Sequence, residues 1–214
     1  MTFTIRNAAP EDASFLSRTI LAATRSHLPR GWFDIAFALP EAALLRVIES
    51  LARAETASLW HYSHFLVATT PDDVPIAALS AFRHGDAFPI AQAAIDEVAG
   101  SNGWSAFELD EIERRGSYIF SCVIGDDADS WVIENVATRP EYRGRGAAGA
   151  LIRRALAIGR DRGHEFAVLT EFIGNEQAQR VYEREGFVVT AEKRDPVFER
   201  ITGSPGFAQL SRRI

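Results

Sequence analysis

Hydrophobic and polar positions along the chain change period repeatedly, from alternation in twos to recurrence near 3.6, the pattern of strands exchanging with helices. Residues 3–6 (Phe3, Thr4, Ile5, Arg6) are β-prone and predict an opening strand. Pro10, Glu11 and Asp12 supply helix-start chemistry. Phe15, Leu16, Ile20 and Leu21 follow at helical spacing, so a helix is expected over 11–24. Residues 27–37 hold Pro29, Gly31 and Trp32 and read as a loop. A second helix is expected over 40–54, with Leu44, Leu45, Ile48 and Leu51 on one face. Strand-like runs at 60–70 and 76–82 flank a turn at Pro71, Asp72 and Asp73, which predicts a β-hairpin.

Residues 84–130 carry weaker signals. A helix over 90–98 is broken between Gly100 and Gly103, and an acidic helix follows over 105–115. Residues 118–124 fit either a strand or the end of that helix. This stretch is rich in carboxylates: Asp96, Glu97, Glu108, Asp110, Glu111, Glu113, Asp126, Asp127 and Asp129 face only Arg114 and Arg115 between 96 and 129. They form either a solvated helical face or a rim whose field attracts a cationic substrate.

The pattern sharpens again at residue 131. WVIENVA over 131–137 is a strand of mostly β-branched and aromatic residues, and Pro140 ends it. A helix over 146–162 lays Ala148, Leu151, Ile152, Ala155, Leu156 and Gly159 along one stripe, as a helix resting on a sheet requires. A strand over 166–170 follows, so this strand–helix–strand unit should be parallel and right-handed. A helix over 176–185 is closed by Gly186. Strands over 187–193 and 207–212 are joined by a loop with Pro196, Gly203, Pro205 and Gly206. No internal repeat or linker interrupts the chain. The fold class expected is one α/β (α+β) domain over 1–214, with a helical acidic insertion at about 84–130.

Composition narrows the function. The 214 residues can bury one substantial core. A formal net charge of −6 argues against a broad nucleic-acid surface. No apolar run reaches the ~20 residues needed to cross a bilayer, and the first residues lack the pattern of a signal peptide. The single cysteine, Cys122, can form no internal disulfide and reads as core. A cytoplasmic protein with neither nucleic-acid nor membrane partner is expected. No metal is expected: His61 and His64 have no third ligand near them, and His164 has no evident partner.

The turn after the 131–137 strand carries the chemistry. Gly144, Gly146 and Gly149 lead directly into the 146–162 helix. Glycines let the backbone come close to a ligand, and a helix start offers free N–H donors, so this turn can cradle a phosphate. The same glycines satisfy G-x-G-x-x-G, and Glu165 lies at a suitable distance for a ribose contact, so a dinucleotide site competes. Against it, Arg139, Pro140, Glu141, Tyr142 and Arg143 intervene before the first glycine, and only about 65 residues remain for the rest of a dinucleotide fold. A Walker loop fails, because no Gly-Lys-Ser/Thr follows.

The string resembles the acyl-CoA signature of the GNAT superfamily of N-acetyltransferases. Its core, Gln/Arg-x-x-Gly-x-Gly/Ala, is matched by Arg143, Gly146 and Ala148. The preceding V-x-x-x-P-x-Y-R-G is matched by Val136, Pro140, Tyr142, Arg143 and Gly144. The next motif, N-x-x-A-x-x-x-Y-x-x-x-G-F, is matched by Asn175, Ala178, Tyr182, Gly186 and Phe187. Both motifs stand in the expected order. The resemblance implies a mixed, mostly antiparallel central sheet with a splayed parallel strand pair, flanked by helices.

It also implies acetyl-CoA as co-substrate. Backbone N–H groups over Arg143, Gly144, Arg145, Gly146, Ala147 and Ala148 would meet the pyrophosphate, the two arginines adding charge. The pantetheine arm would pair along Val136 and Ala137, where a backbone N–H would polarise the thioester carbonyl. Asn175 would hydrogen-bond the pantetheine amides, cap the following helix, or do both. An amine acceptor is protonated at neutral pH and needs a base. Glu134, a carboxylate inside an apolar strand, is the first candidate; Glu171, at the end of the next strand, is the second. Tyr182 is the candidate acid for the departing thiolate. The expected activity is N-acetylation of a primary amine, that of a small cationic molecule on the strength of the acidic segment. A non-catalytic acyl-CoA sensor and a nicotinamide-dependent enzyme are the alternatives. The assembly stays open between monomer and homodimer.

Overall fold

A computed structural model describes residues 2–125 and 127–214. Asp126, one of the nine acidic residues named above, lies outside the described residues.

In chain order, β1 (Thr4–Asn7) leads into α1 (Ala13–Arg25), then α2 (Trp32–Phe37) and α3 (Glu41–Ala52). The hairpin β2 (Phe65–Thr69) and β3 (Pro75–Arg83) follows. Then come α4 (His84–Ala87), α5 (Ala91–Asn102) and α6 (Ala106–Gly116). The second half holds β4 (Trp131–Thr138), α7 (Ala147–Asp161), β5 (Phe166–Phe172), α8 (Glu176–Arg184), β6 (Val188–Arg194), α9 (Pro196–Thr202) and β7 (Gly206–Arg213). One seven-stranded sheet has the order β1-β2-β3-β4-β5-β7-β6. Its strands pair antiparallel except β4 with β5, which are parallel. This is the expected mixed sheet with one parallel pair.

Each sheet face has its own core. Phe65, Val67, Ala78, Phe82, Val132 and Val168 point to the face covered by α1, α2, α3 and α5. Leu66, Leu79, Trp131, Ile133, Ala167, Leu169, Ala208 and Leu210 point to the other face, where Leu151, Ile152, Ala155 and Leu156 of α7 and Tyr182 of α8 pack. The alternation along β4 and β5 therefore tells which layer each side chain enters. Trp131 is 1% exposed and donates its indole N–H to the Ala155 carbonyl at 3.0 Å, tying β4 to α7.

Four segments differ from the sequence pattern. Residues 32–37, read as loop, form α2, because the Asp34 carboxylate accepts the Gly31 N–H and binds Arg25 through two hydrogen bonds, closing the helix start. Trp32, Phe33 and Phe37 then pack on one another. The strand expected over 60–70 is confined to Phe65–Thr69, since residues 62–64 make a 3-10 turn. The undecided run at 118–124 opens as a 3-10 turn, Ser117–Ser121. The 196–202 stretch, read as loop, is α9: Asp195 accepts the N–H groups of Val197 and Phe198, and Pro196 stands at the first position.

The close approach of α7 to β4 depends on Gly159. A Cβ there would lie 2.6 Å from Trp131 Cδ1 and 2.8 Å from Ile214 Cδ1. Gly159→Ala gains about 1 kcal/mol of helix propensity but forces the buried indole to shift, at about 1–3 kcal/mol. We expect a net fall in the midpoint of thermal unfolding, read by circular dichroism; an unchanged or raised midpoint would show that the contact relaxes freely.

Candidate active site

The site is built around one extra residue in β4. Opposite β3, Ser80 pairs with Glu134 but Ala78 pairs with Ala137, so Asn135 and Val136 share a single partner position. This is a β-bulge. Asn135 sits there with φ +53°, a left-handed conformation that asparagine tolerates better than most residues. Its buried amide donates to Ser80 Oγ at 3.0 Å, which holds the bulge from the β3 side. β4 parts from its parallel neighbour just ahead of the bulge. Pairing with β5 is confined to Trp131↔Ala167 and Val132↔Val168, while β5 stays paired to β7 as far as Phe172. The V-shaped opening leaves the half-buried backbone at Val136 and Ala137 beside a gap that an extended ligand can enter as an added strand.

The glycine turn lies at the wide end of this opening. Gly144 and Gly146 have φ of +73° and +84°, with nothing within 4 Å of a Cβ built on either. Gly146 is the residue before α7, and no side chain caps it, so the first N–H groups of this 15-residue helix keep their donor capacity. Arg143 and Arg145 are exposed. The Arg143 Nε donates to the Thr138 carbonyl at 3.3 Å, and the Arg145 guanidinium lies 5.4 Å from the Tyr142 ring centroid. An open concavity with helix-start donors and two cations fits a pyrophosphate, and its continuity with the gap fits the rest of an acyl-CoA.

Alternation assigns the candidate acids and bases to layers. Glu134 follows Val132 at two residues and pairs with Ser80, so it points to the face of α1 and α3 and is half-buried. Glu171 follows Leu169 at two residues and pairs with Ala208, so it points to the opposite face. It is 7% exposed, and its Oε2 has no hydrogen-bond partner among the described residues. Burial, with the Glu183 charge adding, pushes its carboxyl up to about 7. Tyr182, 8% exposed, occupies the same layer, edge-on to Phe187. Burial raises its phenol well above the ordinary value, and the Glu171 charge adds to this, so it stays protonated throughout the neutral range. Asn175 caps α8, accepting the Ala178 N–H at 3.2 Å, and its Nδ2 donates to Ser26 Oγ at 2.7 Å. Ser26, at the end of α1, has φ +57°.

The remaining chemical candidates are accounted for by structure. His61 and His64 bond to Ser63 Oγ and the Ala57 carbonyl, and His164 to the Asp129 carbonyl. Cys122 is buried against Tyr118, Phe172 and Phe198. Among the described residues no group of three or more His, Cys, Asp or Glu is placed to hold a metal. A surface cleft of about 580 Å³ runs past Arg30, Asp34, Tyr118 and Val197, and none of the predicted site residues lines it. Four carboxylates of the acidic run are engaged within the protein. Glu97 accepts the N–H groups of Glu55 and Thr56, Glu108 closes a capping box with Ser105, Glu111 pairs with Arg114 and Arg115, and Asp129 pairs with Arg83.

Sequence reasoning missed Asn135 and Ser80. The signal for Asn135 was present: an asparagine is out of place in WVIENVA unless it takes a conformation its neighbours avoid. Ser80, buried at 0% exposure, became legible only once β3 and β4 were in register.

A seven-stranded mixed sheet, opened at a bulge and continued by a glycine turn into a helix, defines an acyltransferase that draws its acyl group from acyl-CoA. The chain belongs to the acetyltransferase (GNAT) family, whose model matches residues 51–187. No curated protein matches it in sequence. Among solved structures it is similar to an acetyltransferase at a TM-score of 0.70, with 17% identity over 99% of both chains. It is also similar to an N-acetyltransferase from Staphylococcus aureus Mu50, at 0.69 and 20% identity over 98% of this chain and 100% of that one. Rv2747 from Mycobacterium tuberculosis, in complex with CoA and NLQ, matches at 0.51 and 12% identity over 99% of both chains. At these identities the likeness is one of fold. No described helix is long and apolar enough to cross a membrane.

If the bulge holds the gap open, its backbone conformation matters more than its side chain. Asn135→Gly keeps the left-handed conformation and should bind acetyl-CoA within a few-fold of the native protein by calorimetry. Asn135→Val, which strains that conformation, should weaken binding tenfold or more. Equal affinities for the two variants would remove the bulge from the argument.

Proposed function

We propose that the protein is an N-acetyltransferase that moves an acetyl group from acetyl-CoA to a primary amine. The observation that carries this reading is the division of Glu134 and Tyr182 between the two faces of the sheet, on either side of the β4–β5 opening. A thioester held in that gap would have a base on one side and an acid on the other, as an amine attacking and a thiolate leaving require. Arg143, Gly144, Arg145, Gly146, Ala147 and Ala148 hold the pyrophosphate. Val136 and Ala137 pair with the pantetheine arm, and a backbone N–H there faces the negative charge that develops on the carbonyl oxygen. Asn175, already engaged with Ala178 and Ser26, has one N–H left for the pantetheine amides. Glu134 takes the amine proton, directly or through water, and Tyr182 protonates the sulfur.

The acceptor we favour is a small cationic amine, attracted by the net charge of −6. Within the 96–129 run, Glu97, Glu108, Glu111 and Asp129 are already held by other groups of the protein. The insertion thus serves as structure around the single domain. A cytoplasmic setting fits a chain with one buried cysteine.

The test is thiol release from acetyl-CoA against a panel of polyamines, aminoglycosides, amino acids and peptide N-termini. We expect turnover with at least one primary amine, and a loss of roughly 10²-fold or more in kcat for Glu134→Gln and for Tyr182→Phe. Full turnover in the double variant would overturn these roles. Thermal stabilisation by acetyl-CoA without turnover of any amine would favour a non-catalytic acyl-CoA sensor.

A further inference from the structure

The turn that ends α1 departs from the residue its backbone would favour. The Leu28 N–H donates to the Arg25 carbonyl at 2.9 Å, closing a tight turn over Arg25, Ser26, His27 and Leu28. Ser26 holds its second position with φ +57° and ψ −122°. That is the backbone of a mirror-image turn, which glycine adopts freely and a residue with a Cβ adopts under strain. Glycine would make this turn at lower cost, so the serine calls for a reason in its hydroxyl.

The hydroxyl is engaged with a distant part of the chain. Ser26 Oγ accepts a hydrogen bond from Asn175 Nδ2 at 2.7 Å, across 149 residues. It also lies 3.3 Å from His27 Nδ1, which gives the hydroxyl a place for its own proton. At the other end of the amide, Asn175 Oδ1 accepts the Ala178 N–H at 3.2 Å and so caps α8. The amide is thus gripped at both ends. Exchanging its oxygen and nitrogen would set Nδ2 against the Ala178 N–H, donor against donor. The surroundings seat the turn beside Asn175. His27 Nε2 lies 3.4 Å from the position of a Cβ on Gly174, and Leu28 packs on the cluster of Tyr118, Phe172 and Phe198. Asn175 itself follows β5, the strand that borders the opening, by three residues.

We propose that Ser26 is a positioning residue for the cofactor. It holds the Asn175 amide in one orientation before binding, with the second Nδ2 N–H directed to the pantetheine arm. A donor fixed in advance does not have to be ordered when the ligand arrives, which strengthens binding without a new contact. Ser26 acts through Asn175 and does not touch the cofactor. This role rests on the reading of Asn175 as a ligand of the pantetheine amides. It accounts for the strained turn, because glycine would relieve the backbone and supply no oxygen.

Two substitutions separate this role from a tie that only fastens α1 to α8. Ser26→Gly removes the hydroxyl and suits the turn. Its midpoint of thermal unfolding should equal or exceed the native one, whereas its Kd for acetyl-CoA by calorimetry should rise about five- to tenfold, the scale of one hydrogen bond. Asn175→Ser keeps a capping oxygen on α8 but has no amide N–H, and should weaken acetyl-CoA by a similar factor. The double variant should bind no more weakly than Asn175→Ser, because both changes remove the action of one N–H. Native affinity in Ser26→Gly beside a loss in Asn175→Ser overturns the role of Ser26 and leaves Asn175 a ligand. Losses that multiply in the double variant overturn it equally, since Ser26 would then act elsewhere. Native affinity in Asn175→Ser overturns the reading of Asn175 itself.

Discussion

The structure depends on a single irregularity, the extra residue in β4. A seven-stranded sheet with both faces covered would ordinarily pair its central strands along their whole length, because each unpaired backbone group buried there is costly. At Asn135 the backbone turns left-handed, the register against β3 slips by one, and β4 parts from β5 after Val132. The cost is contained from both sides. Ser80 accepts the Asn135 amide, and Trp131, just before the bulge, is locked to α7 through the Ala155 carbonyl. The opening is therefore held by rigid elements, with its backbone groups available to a ligand that pairs like a strand.

The same geometry sorts the proton chemistry. Two residues on one strand that are two apart share a face, and the sheet separates what lies on opposite faces. Glu134 and Glu171 look equivalent along the chain, each a carboxylate in an apolar strand. In the fold one is half-buried on the α1 face, and the other is buried on the α7–α8 face, in the same layer as Tyr182. Burial pushes the Glu171 carboxyl up to about 7 and so favours its neutral form. The glycine turn contributes in a third way, through backbone N–H groups at the start of a long helix and an exposed pair of arginines.

Much of this was legible along the chain. The residue pattern located every strand, and β4 was readable from its β-branched and aromatic content, with Glu134 as the carboxylate among them. Longer helices such as α1, α3 and α7 showed their apolar stripes. The short ones did not, because α2 and α9 owe their existence to Asp34 and Asp195 closing the helix start and to aromatic packing against distant elements. The carboxylates of the 96–129 run could not be told from a charged rim by composition. Their partners, such as the Glu55 and Thr56 N–H groups for Glu97 and Arg83 for Asp129, come from far along the chain.

By itself, the sequence determined the family, the glycine turn ahead of a helix and the residue types available for acid–base work. Those are properties of local spacing: glycines where φ must be positive, a helix start behind them, and a carboxylate or phenol at a given position on an element. Only the tertiary structure decided where β4 leaves β5, which face each carboxylate enters, and that Glu171 lies buried with Tyr182. Strand register and side-chain burial arise from contacts between residues far apart in the chain, such as Ser80 with Asn135 and Trp131 with Ala155. No local pattern encodes them.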